Sequence, residues 1–312
     1  MRILFAGTPA FALPSLDAIA GASRHRLVGV LTRPDRPRGR GRKQEPPPVK
    51  ARAEELGLPV LQPARPSSEE SLRSIRELAP EAVAVVAFGR ILKPPFLALP
   101  PRGCVNAHAS LLPAYRGAAP IERAILEGET ETGITTMLID EGLDTGEMLL
   151  REKTPIGEGE TAGELAERLA RIGGRLLVET LDRLERGDCP REPQREERAT
   201  HAPPIRKEEA RVDWAAPAAR VVRLVRAMNP KPVAFTGTSR GAMRIWRASE
   251  TEGEGAPGTV LVAEARSGLV IAAGEGAVRL EEVQLPGKRR VEARALLAGV
   301  RFPVGAPLAG EA

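Results

Sequence analysis

Between Ala82 and Phe88 the chain reads AVAVVAF, an unbroken apolar run bounded by polar residues. A strand with one face in water alternates apolar and polar side chains. One that is apolar on both faces must be covered from both sides, and such strands belong to largely parallel sheets clad in helices. RILFAG (2–7) and RLVGVLT (26–32) have the same character. Between these runs lie segments of helical pattern, near Leu13–Ala22, near Val49–Leu56, and from Ser67 and Ser68 to Leu78, with a short strand expected near Pro59–Leu61.

The alternation continues with a strand at 104–109 and a helix from about Pro120 to Glu127. A strand pair follows, TGITTMLID (132–140) and EMLLREK (147–153), and then a long amphipathic helix over Ala162–Arg186. Strand and helix in turn predict an α/β fold with a Rossmann-like, mostly parallel sheet, whose ligands bind beyond the carboxyl ends of the strands. Residues 188–212 lose apolar periodicity. After a helix near Pro217–Met228 come short alternating runs, GTVLVAEA, GLVIAAG and AVRLEEVQL, separated by Gly-rich turns. These predict a small C-terminal β-barrel of the OB-like kind. The expected division is an α/β domain carrying the chemistry at 1–188, a linker at 189–212 and a barrel at 213–312.

Composition narrows the function. Two cysteines, Cys104 and Cys189, and three histidines are too few and too dispersed for a zinc ribbon or a disulfide scaffold, so no metal is expected. No apolar run approaches the ~20 residues needed to span a bilayer, and MRILFAG lacks a signal-peptide core. A reduced, soluble, cytoplasmic protein is expected. The charge is uneven. Arg33–Arg52 holds eight basic and two acidic residues, and residues 205–312 hold 17 basic and 12 acidic, which accounts for the whole net +5. A basic loop and a basic second half suit a large anionic partner. They also suit a solvated Arg-rich surface.

The segment CVNAHASLLPAYRGA (104–118) carries the most chemistry. In a strand, alternate side chains share a face, so Asn106, His108 and Ser110 are expected on one side of it. Each costs roughly 1–3 kcal/mol if buried unpaired. They are therefore either satisfied internally or turned toward a cleft. An amide and an imidazole can donate to an oxygen that gains charge during attack on a carbonyl, and an imidazole can move a proton. A carboxylate to hold the ring is available in IDEGLDTGE (139–147), from Asp140, Glu141, Asp144 or Glu147. Asp144 lies between Gly142 and Gly146, which permit a sharp turn or a close backbone approach. AGTPAF after the first strand is neither GxGxxG nor GxxxxGK[ST], which argues against a dinucleotide oxidoreductase.

NAHASLLPAYRGAAPI (106–121), IDEGLDTGEML (139–149) and VVAFGRILKP (85–94) together resemble the folate-dependent formyltransferases. LTRPDRPRGRGRK, VKARAEELGLPVLQP and RATHAPPIRKEEARVDW extend the resemblance over nearly the whole chain, toward the members that act on charged tRNA. The resemblance implies transfer of the formyl group of 10-formyltetrahydrofolate to the α-amino group of methionyl-initiator tRNA, by a monomer needing no metal. It implies Asn106, His108 and Asp144 as the catalytic set. Ala87, Phe88, Gly89, Ser110, Leu111, Leu112, Pro113 and Asp140 would lie against the folate, and Arg36, Arg38, Arg40, Arg42 and Lys43 against the tRNA. The chain departs from the family pattern at His201, Pro204 and Ile205, and at Lys231 and Val233, where the family usually carries Trp and Gly. Two rivals stay open: formyl transfer to a small amine (glycinamide ribonucleotide or an amino sugar nucleotide), and an RNA-binding protein without activity. The basic loop and second half are more than a small amine requires. Neutralising Arg40, Arg42 and Lys43 together is expected to weaken tRNA binding and flatten its dependence on salt, read from a titration at several ionic strengths.

Overall fold

The apolar runs of the first half become neighbours in one sheet. The computed structural model of the chain describes residues 1–38 and 43–308. Its main sheet has seven strands: β1 (Arg2–Gly7), β2 (Arg26–Leu31), β3 (Val60–Leu61), β4 (Ala82–Val86), β5 (Cys104–His108), β6 (Glu131–Leu138) and β7 (Met148–Pro155), in the order β7-β6-β5-β4-β1-β2-β3. Strands β1 to β5 run parallel. β6 turns back antiparallel on the β5 edge, and β7 pairs antiparallel with β6. All five residues of β4 are buried, as a central strand covered on both faces requires.

The helices that cover this sheet follow their sequence patterns. Glu69–Glu77 begins at Ser68, whose hydroxyl accepts from the Ser71 amide, and it buries Leu72 and Ile75. The long Ala162–Arg186 helix lies against β6, where the buried hydroxyls of Thr136 and Thr180 are 2.8 Å apart. Cys104 is 1% exposed, and burial pushes its thiol up to about 12, so it is no nucleophile at neutral pH. Both cysteines are free thiols. No helix among the described residues is long and apolar enough to cross a membrane.

The chain forms two compact units. The first comprises Met1–Pro120, Glu131–Pro155 and Ala166–Ala202; the second comprises Ile121–Thr130, Ile156–Leu165 and Pro203–Ala312. The stretch 189–212, expected as a linker, is thus divided between them. Its first part is hydrogen-bonded structure: Glu192 bridges Met148, and His201–Ala202 pairs in parallel with Arg116–Gly117. Pairing of this kind leaves no apolar period, so the sequence pattern did not reveal it. The basic loop also holds more order than its Pro and Gly content suggested, for Arg36–Arg38 pairs with Lys43–Glu45 as a two-stranded ribbon. A strand with a free edge tolerates Pro37. Lys50 and Gln62 both bind Asp35 at the base of this ribbon, at 2.8 and 2.7 Å.

In the second unit, six strands form an antiparallel sheet: β8 (Ala234–Thr236), β9 (Met243–Thr251), β10 (Val260–Glu264), β11 (Gly268–Ala272), β12 (Ala277–Gln284) and β13 (Val291–Glu292). Their order is β8-β9-β12-β11-β10, with β13 paired to β12. This is the small C-terminal antiparallel β domain expected from the short runs, and its outer strands are paired further, Phe235 with Arg211 and Thr259 with Pro307. The helix Ala218–Ala227 packs Val221, Val222 and Val225 into a core with Ile245, Ile271 and Leu280. Its Arg226 donates to the carbonyls of Glu160 and Gly157. β9 was not anticipated, because only its first residues alternate buried with exposed. Val233 takes φ +74°, a conformation costly for a β-branched residue and free for the glycine usual in the resembling family.

Arg123 binds Glu209 at 2.8 Å. That hydrogen bond, with the Arg206 amide, holds the Glu209 carboxyl at about 2 against an ordinary 4.5. A lowered folded-state value contributes stability that is complete above about pH 4.5 and is lost as pH falls toward 2. Glu209→Gln is therefore expected to narrow the gap between urea midpoints measured at pH 6 and pH 3.

Candidate active site

β5 ends at His108, and the face it shares with Asn106 is where the polar groups gather. Because β6 runs antiparallel to β5, the 139–147 loop leaves the sheet beside the start of β5, with the Ile139 amide on the Cys104 carbonyl at 2.8 Å. The loop must then fold back across the strand's face to reach His108. Its two glycines make the return possible. A Cβ on Gly142 would stand 2.0 Å from the Thr145 hydroxyl, and one on Gly146 only 1.8 Å from the Leu138 carbonyl.

Asp144 sits at the turn of this loop, at φ +54°. A non-glycine residue held there costs of order 1–3 kcal/mol, and asparagine or aspartate less than most. Its Oδ2 accepts from the Gly117 amide at 2.9 Å and lies 3.6 Å from His108 Nδ1. Its Oδ1 receives the Asn106 amide nitrogen at 3.5 Å. The three side chains proposed from the sequence thus meet at one point. His108 is 6% exposed and Asp144 17%. His108 Nε2 stands 2.9 Å from the Tyr115 carbonyl. A carbonyl only accepts, so Nε2 carries the hydrogen, and Nδ1 is the nitrogen that can take up a proton, beside the carboxylate.

The expected folate contacts divide into two groups. Ser110 lies past the end of the strand, fully buried, and its hydroxyl donates to the Ala114 carbonyl at 2.6 Å. Leu112 is buried with Met137 and Met148, and its amide donates to the Thr135 hydroxyl. Phe88 is buried beneath Ile139 and its neighbours. These three side chains shape the turns and leave no surface for a ligand, because the alternation that placed Ser110 beside His108 stops where the strand does. Ala87 and Gly89 remain exposed on a lip with positive φ, +47° and +72°. Leu111 and Pro113 are partly exposed. Asp140 is exposed, and its Oδ1 accepts from the Gly142 amide and the Thr145 hydroxyl, bracing the loop. Ile91 and Leu143 are large apolar side chains exposed at 84% and 65% on the loops after β4 and β6.

Of the expected tRNA contacts, Arg36 is exposed on its ribbon. Arg40 and Arg42 lie outside the described residues, as do the side chains of Arg38 and Lys43. The sequence reading missed the Gly117 amide and Gln194. Gln194 Nε2 donates to the carbonyls of Asp144 and Gly146, both at 2.8 Å. The pattern RGA hinted at Gly117, whose added Cβ would meet the Ala202 carbonyl at 2.7 Å. Nothing in the aperiodic segment around Gln194 marks it. A separate group of metal-capable side chains, His25, Asp182 and Glu185, lies near the start of β2. There Glu185 accepts from the Met1 amine at 2.8 Å.

Comparison with known proteins bears on what this geometry serves. Residues 1–181 match the family model described as formyl transferase, and residues 204–301 the model of its C-terminal domain. Methionyl-tRNA formyltransferase of Pelotomaculum thermopropionicum is 47% identical over 315 residues, covering 100% of this chain and 99% of the relative. The protein of the same name from Moorella thermoacetica is 48% identical over 301 residues, covering 96% of each. Among solved structures, the N-formyltransferase of Helicobacter canadensis in complex with folinic acid and dTDP-3-aminofucose is similar in fold. Its TM-score is 0.68 at 19% identity, over 90% of this chain and 98% of that one. Gly146→Ala, which drives a methyl into the Leu138 carbonyl, is expected to destabilise the protein by about 1–3 kcal/mol, read from chemical denaturation.

Proposed function

The chain belongs to the formyl transferase family, and we propose that it transfers the formyl group of 10-formyltetrahydrofolate to the α-amino group of methionyl-initiator tRNA, in the cytoplasm. The observation that carries this reading is the meeting of an amide, an imidazole and a carboxylate on one face of β5, with Asp144 within 3.5 Å of Asn106 and 3.6 Å of His108. The exposed Ile91 and Leu143, with the turned backbone at Ala87 and Gly89, suit a flat ring system that is apolar on its faces and polar on its edges. When bound, the folate supplies a formyl group on a weakly basic anilide nitrogen.

Asn106 has two amide hydrogens. One is directed at Asp144, and the other can meet the formyl oxygen as it gains charge, an effect worth about 3 kcal/mol per donor. The amine nitrogen attacks the formyl carbon, a new C–N bond forms, and the surplus proton on the amine must leave. His108 Nδ1 and the Asp144 carboxylate stand together to accept it. His108 then returns a proton to the folate nitrogen as the old C–N bond breaks, so no proton is gained or lost overall. Asp144 keeps the ring oriented from one side and the Tyr115 carbonyl from the other. The basic loop and the basic second half supply phosphate contacts, which position without reading sequence.

Asn106→Ala and His108→Ala are each expected to lower turnover by about 10²–10³-fold while leaving the affinity for charged tRNA unchanged, measured by a formylation assay alongside a binding titration. Equal losses in both would overturn the assignment. Formylation of free glycinamide ribonucleotide or an amino sugar nucleotide in preference to charged initiator tRNA would favour the small-amine reading instead.

A further inference from the structure

The three reacting groups do not hold one another in place. The Asn106 and His108 distances to Asp144 are long, and Asp144 occupies a left-handed backbone conformation that side chains other than glycine rarely keep unaided. Something outside the trio must fix the carboxylate, and Gln194 is placed to do so. Its Nε2 bonds the carbonyls of Asp144 and Gly146, one on each side of Thr145. Its Oε1 accepts from Arg116 Nε at 2.9 Å. The guanidinium only donates and the two carbonyls only accept, so the orientation of the Gln194 amide is dictated by its neighbours. Arg116 is in turn immobilised. It is 2% exposed, it pairs with Glu196 at 2.8 Å, and its amide bonds the Thr200 carbonyl. The adjacent Gly117 amide is the one that binds Asp144 Oδ2. Residues 115–117 and 194–202 therefore clamp the Asp144 turn through its side chain and its backbone together.

We propose that Gln194, braced by Arg116, is a positioning residue of the formyl-transfer site, holding the Asp144 turn in its left-handed conformation so that the carboxylate faces His108. The proposal rests on the formyl-transfer reading and adds to it that the segment read from sequence as a linker completes the site.

Two near-isosteric variants test it. Gln194→Met keeps the bulk and removes every hydrogen bond. Gln194→Glu keeps the acceptor for Arg116 but sets a carboxylate oxygen against the two carbonyls. Positioning predicts that both lower kcat on methionyl-tRNA by at least tenfold, with KM for tRNA and for the folate within about twofold of wild type and the protein still folded at the assay temperature. It also predicts that the amide resonance of Gly117, the donor to Asp144, shifts in an ¹⁵N spectrum of each variant. Wild-type kcat in Gln194→Met, or retained activity in Gln194→Glu, would overturn the proposal, as would an unmoved Gly117 resonance. A wild-type protein that does not formylate methionyl-tRNA would instead overturn the formyl-transfer reading. The Gly117 resonance would still report on the clamp.

Discussion

A carboxylate laid over the face of a sheet strand loses most of its water and has to be given donors in return. At Asp144 those donors are the Gly117 amide and the Asn106 side chain, with the His108 ring at its edge. An ionised group left unpaired in such a place costs several kcal/mol, so the surrounding structure is built to keep these partners in range. The loop returns over β5 on two glycines that leave no room for a Cβ. The Tyr115–Gly117 turn presents a carbonyl to the ring and an amide to the carboxylate. A parallel bridge to His201–Ala202 holds that turn from outside.

This arrangement explains why the polar face of β5 is divided between structure and chemistry. Asn106 and His108 turn toward the Asp144 carboxylate. Ser110, which looks equivalent by alternation, spends its hydroxyl on the Ala114 carbonyl and serves the turn. Burial of Cys104 on the same strand keeps its thiol protonated, so the reactive character of the strand is confined to its last turn of alternation. The same economy appears in the 139–147 loop, where Asp140 braces the turn through the Gly142 amide and the Thr145 hydroxyl while Asp144 faces the ring.

The main sheet was legible because buried parallel strands leave continuous apolar runs, and AVAVVAF, RILFAG and RLVGVLT occupy its centre. The long helix at Ala162–Arg186 was legible for the matching reason, a sustained amphipathic period. Asn106, His108 and Asp144, proposed as the catalytic trio, were legible as residue types in a motif. The direction of β6 was not, and with it went the path of the Asp144 loop. β9 escaped because only its first residues alternate buried with exposed, and the Arg36–Arg38 ribbon because a short charged, Pro-containing strand satisfies no apolar pattern.

Local composition thus determined the main-sheet strands and the long helix, that the second half is basic, and that Asn106 and His108 share a strand face with a choice of carboxylates downstream, since each of these depends on residue type and spacing along the chain. Only the tertiary structure decided that Asp144, out of four acidic residues in its loop, meets His108, and that Gln194, braced by Arg116, reaches the Asp144 turn from a segment without pattern. Such contacts join residues up to 78 positions apart. They are selected by the need to pair buried donors with buried acceptors, a condition that has no period and becomes visible only when the chain has closed on itself.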